Sequence, residues 1–181
     1  VVNRRFFVDT KKVAKQVLGL GEFMLMQCSS GNLVITGQFI LSVSDEQFFS
    51  IRCKLELKQL GVWYMKTKDG LEASRREPEQ EEWEQRYNEW LNDADANSKL
   101  TNTGIEILGC YLFTDGFTYI AVKQARLDML SNSDNISVAG HMLIVDGVHA
   151  IAKVTDNVWK NNDWIRILSG MNLEKETEDE R

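Results

Sequence analysis

Residues 75–97, RREPEQEEWEQRYNEWLNDADAN, decide how the chain is organised, because two similar stretches of sequence lie on either side of them. The segment holds the only proline in the chain, Pro78, and then reads as one helix. Proline suits a first helical turn, where its missing N–H is not needed. Trp83, Tyr87, Trp90 and Leu91 recur at i, i+4, i+7 and i+8, the spacing of one helical face. From residue 77 to 95 there are eight carboxylates (Glu77, Glu79, Glu81, Glu82, Glu84, Glu89, Asp93 and Asp95) against one base, Arg86. Glutamates in the opening turn favour the positive end of the helix dipole. The segment predicts a helix with an aromatic side and an acidic side.

On the N-terminal side, residues 1–8 read as a short strand or arm. Asp9 or Thr10 then caps a helix through about Leu18, ended by Gly19 and Gly21. A strand over 22–28 turns at Ser29-Ser30-Gly31-Asn32 into a return strand over 33–43. Ser44 with Gln47 is a capping-box signature for a helix over 45–57, with Phe48, Ile51 and Leu55 as its buried stripe. A strand over 61–66 and a turn at Lys68-Asp69-Gly70 lead to the acidic helix. On the C-terminal side the order repeats: a strand over 104–113, a turn, a strand over 117–122, and a short helix over 123–130. Strands over 136–145 and 148–154 then form a hairpin around Asp146-Gly147. A helix over 157–168 and an acidic tail over 171–181 close the reading.

The expectation is an α+β fold with antiparallel sheets, built from two similar hairpin–helix–hairpin halves and bridged by the acidic helix. Its divisions are 1–74, 75–97, 98–170 and a disordered tail, 171–181.

A chain of 181 residues, 43% hydrophobic and 27% charged, has the composition of a folded domain with a real core. The formal charge of −6 is uneven. Residues 1–76 carry twelve Lys/Arg and seven Asp/Glu, a net of +5, so residues 77–181 carry −11. Such a split bears on partners and solubility, and the acidic part repels nucleic acid. No run approaches a membrane span and no signal-peptide pattern is present, so the reading is cytoplasmic. Cys28, Cys53 and Cys110 sit in apolar segments and read as buried free thiols.

No catalytic set, cofactor motif or metal-ligand spacing is legible, and the reading is of a protein without enzymatic activity. A turn at Asp146-Gly147 pairs Val145 with Val148, which puts His141 and His149 on opposite faces of their hairpin and excludes a shared metal there. Gly19-Leu20-Gly21 follows a helix and lacks a downstream Gly-Lys, so it is not a phosphate loop. Two charged surfaces remain. The acidic helix offers Glu77, Glu79, Glu81, Glu82, Glu84, Glu89 and Asp93 to a basic protein surface. Arg4, Arg5, Lys11, Lys12 and Lys15 form a modest basic cluster that suits phosphates. A third reading uses the Trp83–Tyr87–Trp90 face for homodimerisation.

The stretches FILSVSDEQFFSIRCKLEL (39–57), GVWYMKTKDG (61–70) and YLFTDGFTYIAVKQARLDML (111–130) resemble small proteins carried by phages and mobile elements of Gram-positive bacteria. In size and acidity the chain is similar to an anti-CRISPR family within that group, whose members inhibit type II-A RNA-guided nucleases. The resemblance implies an inhibitor that binds a Cas9-type nuclease, alone or with its guide RNA, and blocks DNA recognition or cleavage. It assigns no functional residues. The alternative is a DNA-binding replication or recombination accessory of a mobile element, using the basic N-terminal cluster.

Overall fold

In the computed structural model, which describes residues 8–74, 80–94, 99–130 and 135–154, the first element is helix α1 (Thr10–Leu20). The Asp9 carboxylate caps it by accepting the main-chain N–H groups of Lys11 and Lys12, both at 3.1 Å. These are donors that the first turn would otherwise leave over. Val13, Ala14 and Val17 form its buried stripe. Gly21, at a left-handed φ of 79°, stops the helix by donating its N–H to the Val17 carbonyl.

Strands β1 (Glu22–Cys28), β2 (Gly31–Thr36) and β3 (Phe39–Val43) follow, then helix α2 (Asp45–Lys54), β4 (Trp63–Thr67) and β5 (Gly70–Ser74). The capping box at Ser44 and Gln47 forms as expected, with both reciprocal bonds made. Helix α3 (Gln80–Asp93) then leads to β6 (Thr101–Ile107), β7 (Cys110–Thr114), β8 (Tyr119–Lys123) and the short α4 (Gln124–Leu127). Strands β9 (Ile136–Ala139), β10 (Met142–Val145) and β11 (His149–Ala152) complete the described chain. All the strand ladders are antiparallel, in one sheet of order β5-β4-β1-β2-β3-β11-β10-β9 and a second of order β6-β7-β8. The protein is therefore α+β with antiparallel sheets. The predicted arm over 1–7, the helix over 157–168 and the tail over 171–181 lie outside the described residues.

Three strands expected to be continuous are broken by tight turns. The 33–43 run folds at Gly37-Gln38, where the Thr36 hydroxyl accepts the N–H groups of Gln38 and Phe39 at 3.1 and 3.0 Å. The 104–113 run folds at Leu108-Gly109, both at positive φ (51° and 75°), as a two-residue antiparallel turn demands. The 136–145 run folds at Gly140-His141, so that Ala139 pairs with Met142. Each half thus contains a three-stranded meander followed by a helix, but the meanders pair differently: β1–β3 lie inside the large sheet, and β6–β8 form a sheet of their own. The two halves join where β3 meets β11, with Ile40 opposite Ala150 and Phe39 opposite Ile151.

Strands β1, β2, β3, β10 and β11 of the large sheet are buried on both faces, which is why FMLM at 23–26 reads as a continuous apolar run. Phe23, Leu25, Phe39, Leu41, Leu143 and Ile151 face one core, shared with α1, α2 and the small sheet's Phe113 and Val122. Met24, Met26, Ile35, Ile40, Met142 and Ile144 face the other, which Trp83 and Tyr87 of α3 close.

Candidate functional site

Helix α3 lies on the second face through the aromatic stripe read from the sequence. Trp83 and Tyr87 are buried, and Trp90, Leu91 and Ala94 are partly buried beside them. Trp83 meets Trp63 of β4 edge to face at 5.4 Å, and Trp90 meets His141 in the β9–β10 turn at 5.6 Å. Burial of two such large rings stabilises the docked helix by roughly 2–3 kcal/mol each. The aromatic face is thus used within the chain, which removes the surface that the homodimer reading relied on.

Polar contacts fix the helix to both halves. Gln80 donates through Nε2 to the Gly61 carbonyl at 2.6 Å. Glu84 accepts from the hydroxyl of Ser29 and from the N–H (3.1 Å) and hydroxyl (2.9 Å) of Ser30, at the β1–β2 turn. These bonds hold its carboxyl below the usual range, the Ser29 bond contributing most. Asn88 donates to the Ser30 hydroxyl at 3.0 Å, and Tyr87 donates to the Val148 carbonyl at 2.7 Å. The helix therefore bridges the halves, as its position in the sequence suggested.

The seven predicted acidic positions do not act as one set. Glu81, Glu82, Glu89 and Asp93 are exposed. Glu82 pairs with Arg86 at 2.7 Å, and Glu89 accepts from Gln85 at 2.9 Å. Glu84 points to the serine turn, so it is an anchor of the helix rather than part of the outward face. Glu77 and Glu79 lie outside the described residues. Of the basic cluster, Lys11, Lys12 and Lys15 are exposed on α1, across the sheet from α3, while Arg4 and Arg5 lie outside the described residues. Helices α1 and α2 carry five bases against two acids, and α3 carries five acids against one base. Opposite charges therefore flank the two faces of the sheet.

His141 and His149 do point to opposite sides, although the register differs from the one expected. The β10–β11 loop has three residues, not two, and Val145 pairs with His149. His149 is 1% exposed and its Nδ1 accepts the Ser42 N–H at 3.2 Å. Burial lowers its pKa to about 4, so it is neutral and its proton sits on Nε2. The thiols also differ from expectation: Cys110 is buried, Cys28 half-buried and Cys53 exposed, since Cys53 falls on the outer side of α2. Burial raises the pKa of Cys110 and of Cys28.

One feature escaped the sequence. A cavity of about 360 Å³ opens beside α3, lined by Trp83, Arg86 and Trp90 from the helix, Thr36, Gly37 and Ile40 from the β2–β3 turn, and His141 and Met142 from the β9–β10 turn. Its residues come from three distant segments, and two of these are turns hidden inside apolar runs. The Arg86 guanidinium stacks over the Trp83 ring at 5.2 Å. No family model, curated protein or solved structure matches the chain. No helix among the described residues is long and apolar enough to cross a membrane.

Proposed function

We propose that the protein is a non-catalytic inhibitor that binds a Cas9-type RNA-guided nuclease, alone or with its guide RNA, through the outer face of α3. The observation that carries this reading is the way α3 is docked: Trp83 and Tyr87 are buried, and Glu81, Glu82, Glu89 and Asp93 face outward. From Glu81 to Asp93 the helix rises ~18 Å, a length over which a nucleic-acid strand presents several phosphates. The channel of such a nuclease is strongly positive, and a rigid row of carboxylates complements it without the entropy cost of ordering a loop. The resemblance to the anti-CRISPR family names the enzyme class.

The test is cleavage of target DNA by a guide-loaded type II-A nuclease with the protein titrated in. Inhibition that saturates near a small-integer ratio, and that falls at least tenfold on Glu81, Glu82, Glu89 and Asp93→Lys, is the expected result. Unaffected cleavage by several such nucleases overturns the reading. The exposed lysines of α1, together with Lys54 and the exposed Phe49 of α2, favour a second reading as a nucleic-acid-binding accessory. Salt-sensitive binding to plain duplex DNA, lost on Lys11, Lys12 and Lys15→Glu, would select it.

A further inference from the structure

One face of the small sheet is buried without belonging to either core. Phe113 and Val122 turn into the core shared with α1 and α2, and Tyr111 and Ile120 pack beside them. Side chains alternate along a strand, so Cys110, Leu112 and Ala121 face the other way. The register sets Leu112 opposite Ala121, and Cys110 opposite Lys123 on one side and Ile107 on the other. These side chains therefore share one outer surface. Leu112 is 5% exposed and Cys110 6%, yet neither belongs to the two apolar clusters formed by the described residues. Lys123 and Arg126 lie near Cys110, but Leu112 is two residues further along β7. A leucine on the open face of a three-stranded sheet reaches such burial only beneath a cover.

We propose that the cover is the chain's own C-terminal segment, with residues 157–168 docked as a helix on the outer face of the small sheet. Position is the first argument. The Val154 N–H donates to the Ala121 carbonyl at 2.8 Å, so the chain leaves β11 along the outer edge of β8, beside the Leu112–Ala121 pair. A tether this short gives the segment an effective concentration on the order of mM at that face, which a second molecule does not match at ordinary dilution. Pattern is the second argument. On a helix, Val158, Trp164, Ile165 and Leu168 fall within about a third of the circumference, and Lys160, Asp163 and Arg166 fall on the opposite side. Size is the third. Twelve helical residues span ~18 Å, and the five-residue strands β7 and β8 span ~17 Å. The proposal is independent of the nuclease reading, since it concerns neither α3 nor its acids.

Two measurements on the full chain test it. In the methyl-labelled protein, nuclear Overhauser effects should link the Leu112 methyls to those of Ile165 or Leu168. The second measurement uses Cys28→Ser with Cys53→Ser, which leaves Cys110 as the remaining thiol. Its alkylation by iodoacetamide, followed by intact mass, should be slow. Adding Ile165→Asp and Leu168→Asp should speed it at least tenfold, because the segment then loses its apolar side. Lys160→Glu, on the charged side, should leave the rate within twofold.

Resolved methyl signals with no such link to Leu112 would overturn the proposal, as would a Cys110 rate that ignores the two aspartates. Protection of Cys110 that grows with protein concentration, together with the mass of a dimer, would assign the face to a second copy and also overturn it. Amide spectra of β1–β3 check that the aspartate variant keeps its fold. If it does not, the methyl contacts in the native chain decide.

Discussion

The phenolic hydroxyl of Tyr87 on α3 donates to the main-chain carbonyl of Val148 at 2.7 Å, joining the acidic helix to the β10–β11 loop of the other half. Burial, and to a lesser extent the nearby Cys28, pushes the Tyr87 pKa up to about 12. Ionisation is therefore harder in the folded state than in the unfolded chain, where tyrosine titrates near 10. The stabilising contribution is present in full below about pH 10 and is lost as pH rises toward 12, on the order of 2–3 kcal/mol in all. Tyr87→Phe should cost about 1–2 kcal/mol at neutral pH, because the Val148 carbonyl loses its donor. It should also flatten the alkaline loss of stability. Urea unfolding at pH 7, 10 and 11.5 measures both.

His149 predicts an acid-side counterpart. Its folded pKa of about 4 lies below the ordinary value of 6.5, so the unfolded chain binds the extra proton first as pH falls. Stability from this group is complete above pH 6.5 and is lost between 6.5 and 4, by about 3 kcal/mol. Protonation also turns Nδ1 into a donor facing the Ser42 N–H, which breaks their bond. His149→Gln should be less stable than the native chain at pH 7.5, and the difference should narrow by pH 4.5. A difference that stays constant across this range would remove the histidine from the acid response.

Glu84 and Glu81 should behave differently although both are α3 carboxylates. Glu84→Ala removes three hydrogen bonds to the serine turn and is expected to lower stability by about 1–2 kcal/mol. Glu81→Lys changes an exposed side chain and is expected to stay within about 0.5 kcal/mol. Paired thermal melts distinguish them. An unchanged Glu84→Ala melt would mean the turn does not hold the helix.

A side chain at Gly61 should be costly. Its φ is +73°, and a Cβ there would lie 1.8 Å from the Gln80 amide nitrogen that donates to its own carbonyl. The left-handed backbone alone costs roughly 1–2 kcal/mol for alanine, and displacing Gln80 adds the loss of the bond that fastens the start of α3. Gly61→Ala should unfold several degrees earlier, and Gly61→Ala combined with Gln80→Ala should recover only the part of that loss due to the clash.

Much of the architecture was legible because it is written in local chemistry. Asp9, the Ser44–Gln47 box and the Trp83–Tyr87–Trp90–Leu91 spacing each specify their helix within one or two turns. The strand breaks were not legible for the opposite reason. A strand buried on both faces loses the polar alternation that marks its ends, so LVITGQFILSV and ISVAGHMLIV read through their turns. Gly37-Gln38 depends on the Thr36 hydroxyl taking two main-chain donors. Leu108 adopts a left-handed φ that its residue type does not advertise. The outward acids could be found from composition, but which of them is tied down depends on a serine turn 54 residues away. The cavity was invisible because its walls meet only after those unread turns have formed.

The junction of β3 with β11 has a mechanical meaning. Beyond the Ile40–Ala150 pair, the Ser42 N–H is accepted by the imidazole Nδ1 of His149. This seam divides the large sheet into five strands and three, and α3 lies across it like a splint, fastened to Gly61 and Ser30 on one side and to Val148 on the other. Anything that grips α3 therefore grips both halves at once. Amide hydrogens of β3 and β11 should exchange more slowly when α3 is occupied, so that an event on the acidic surface is reported at the seam between the halves.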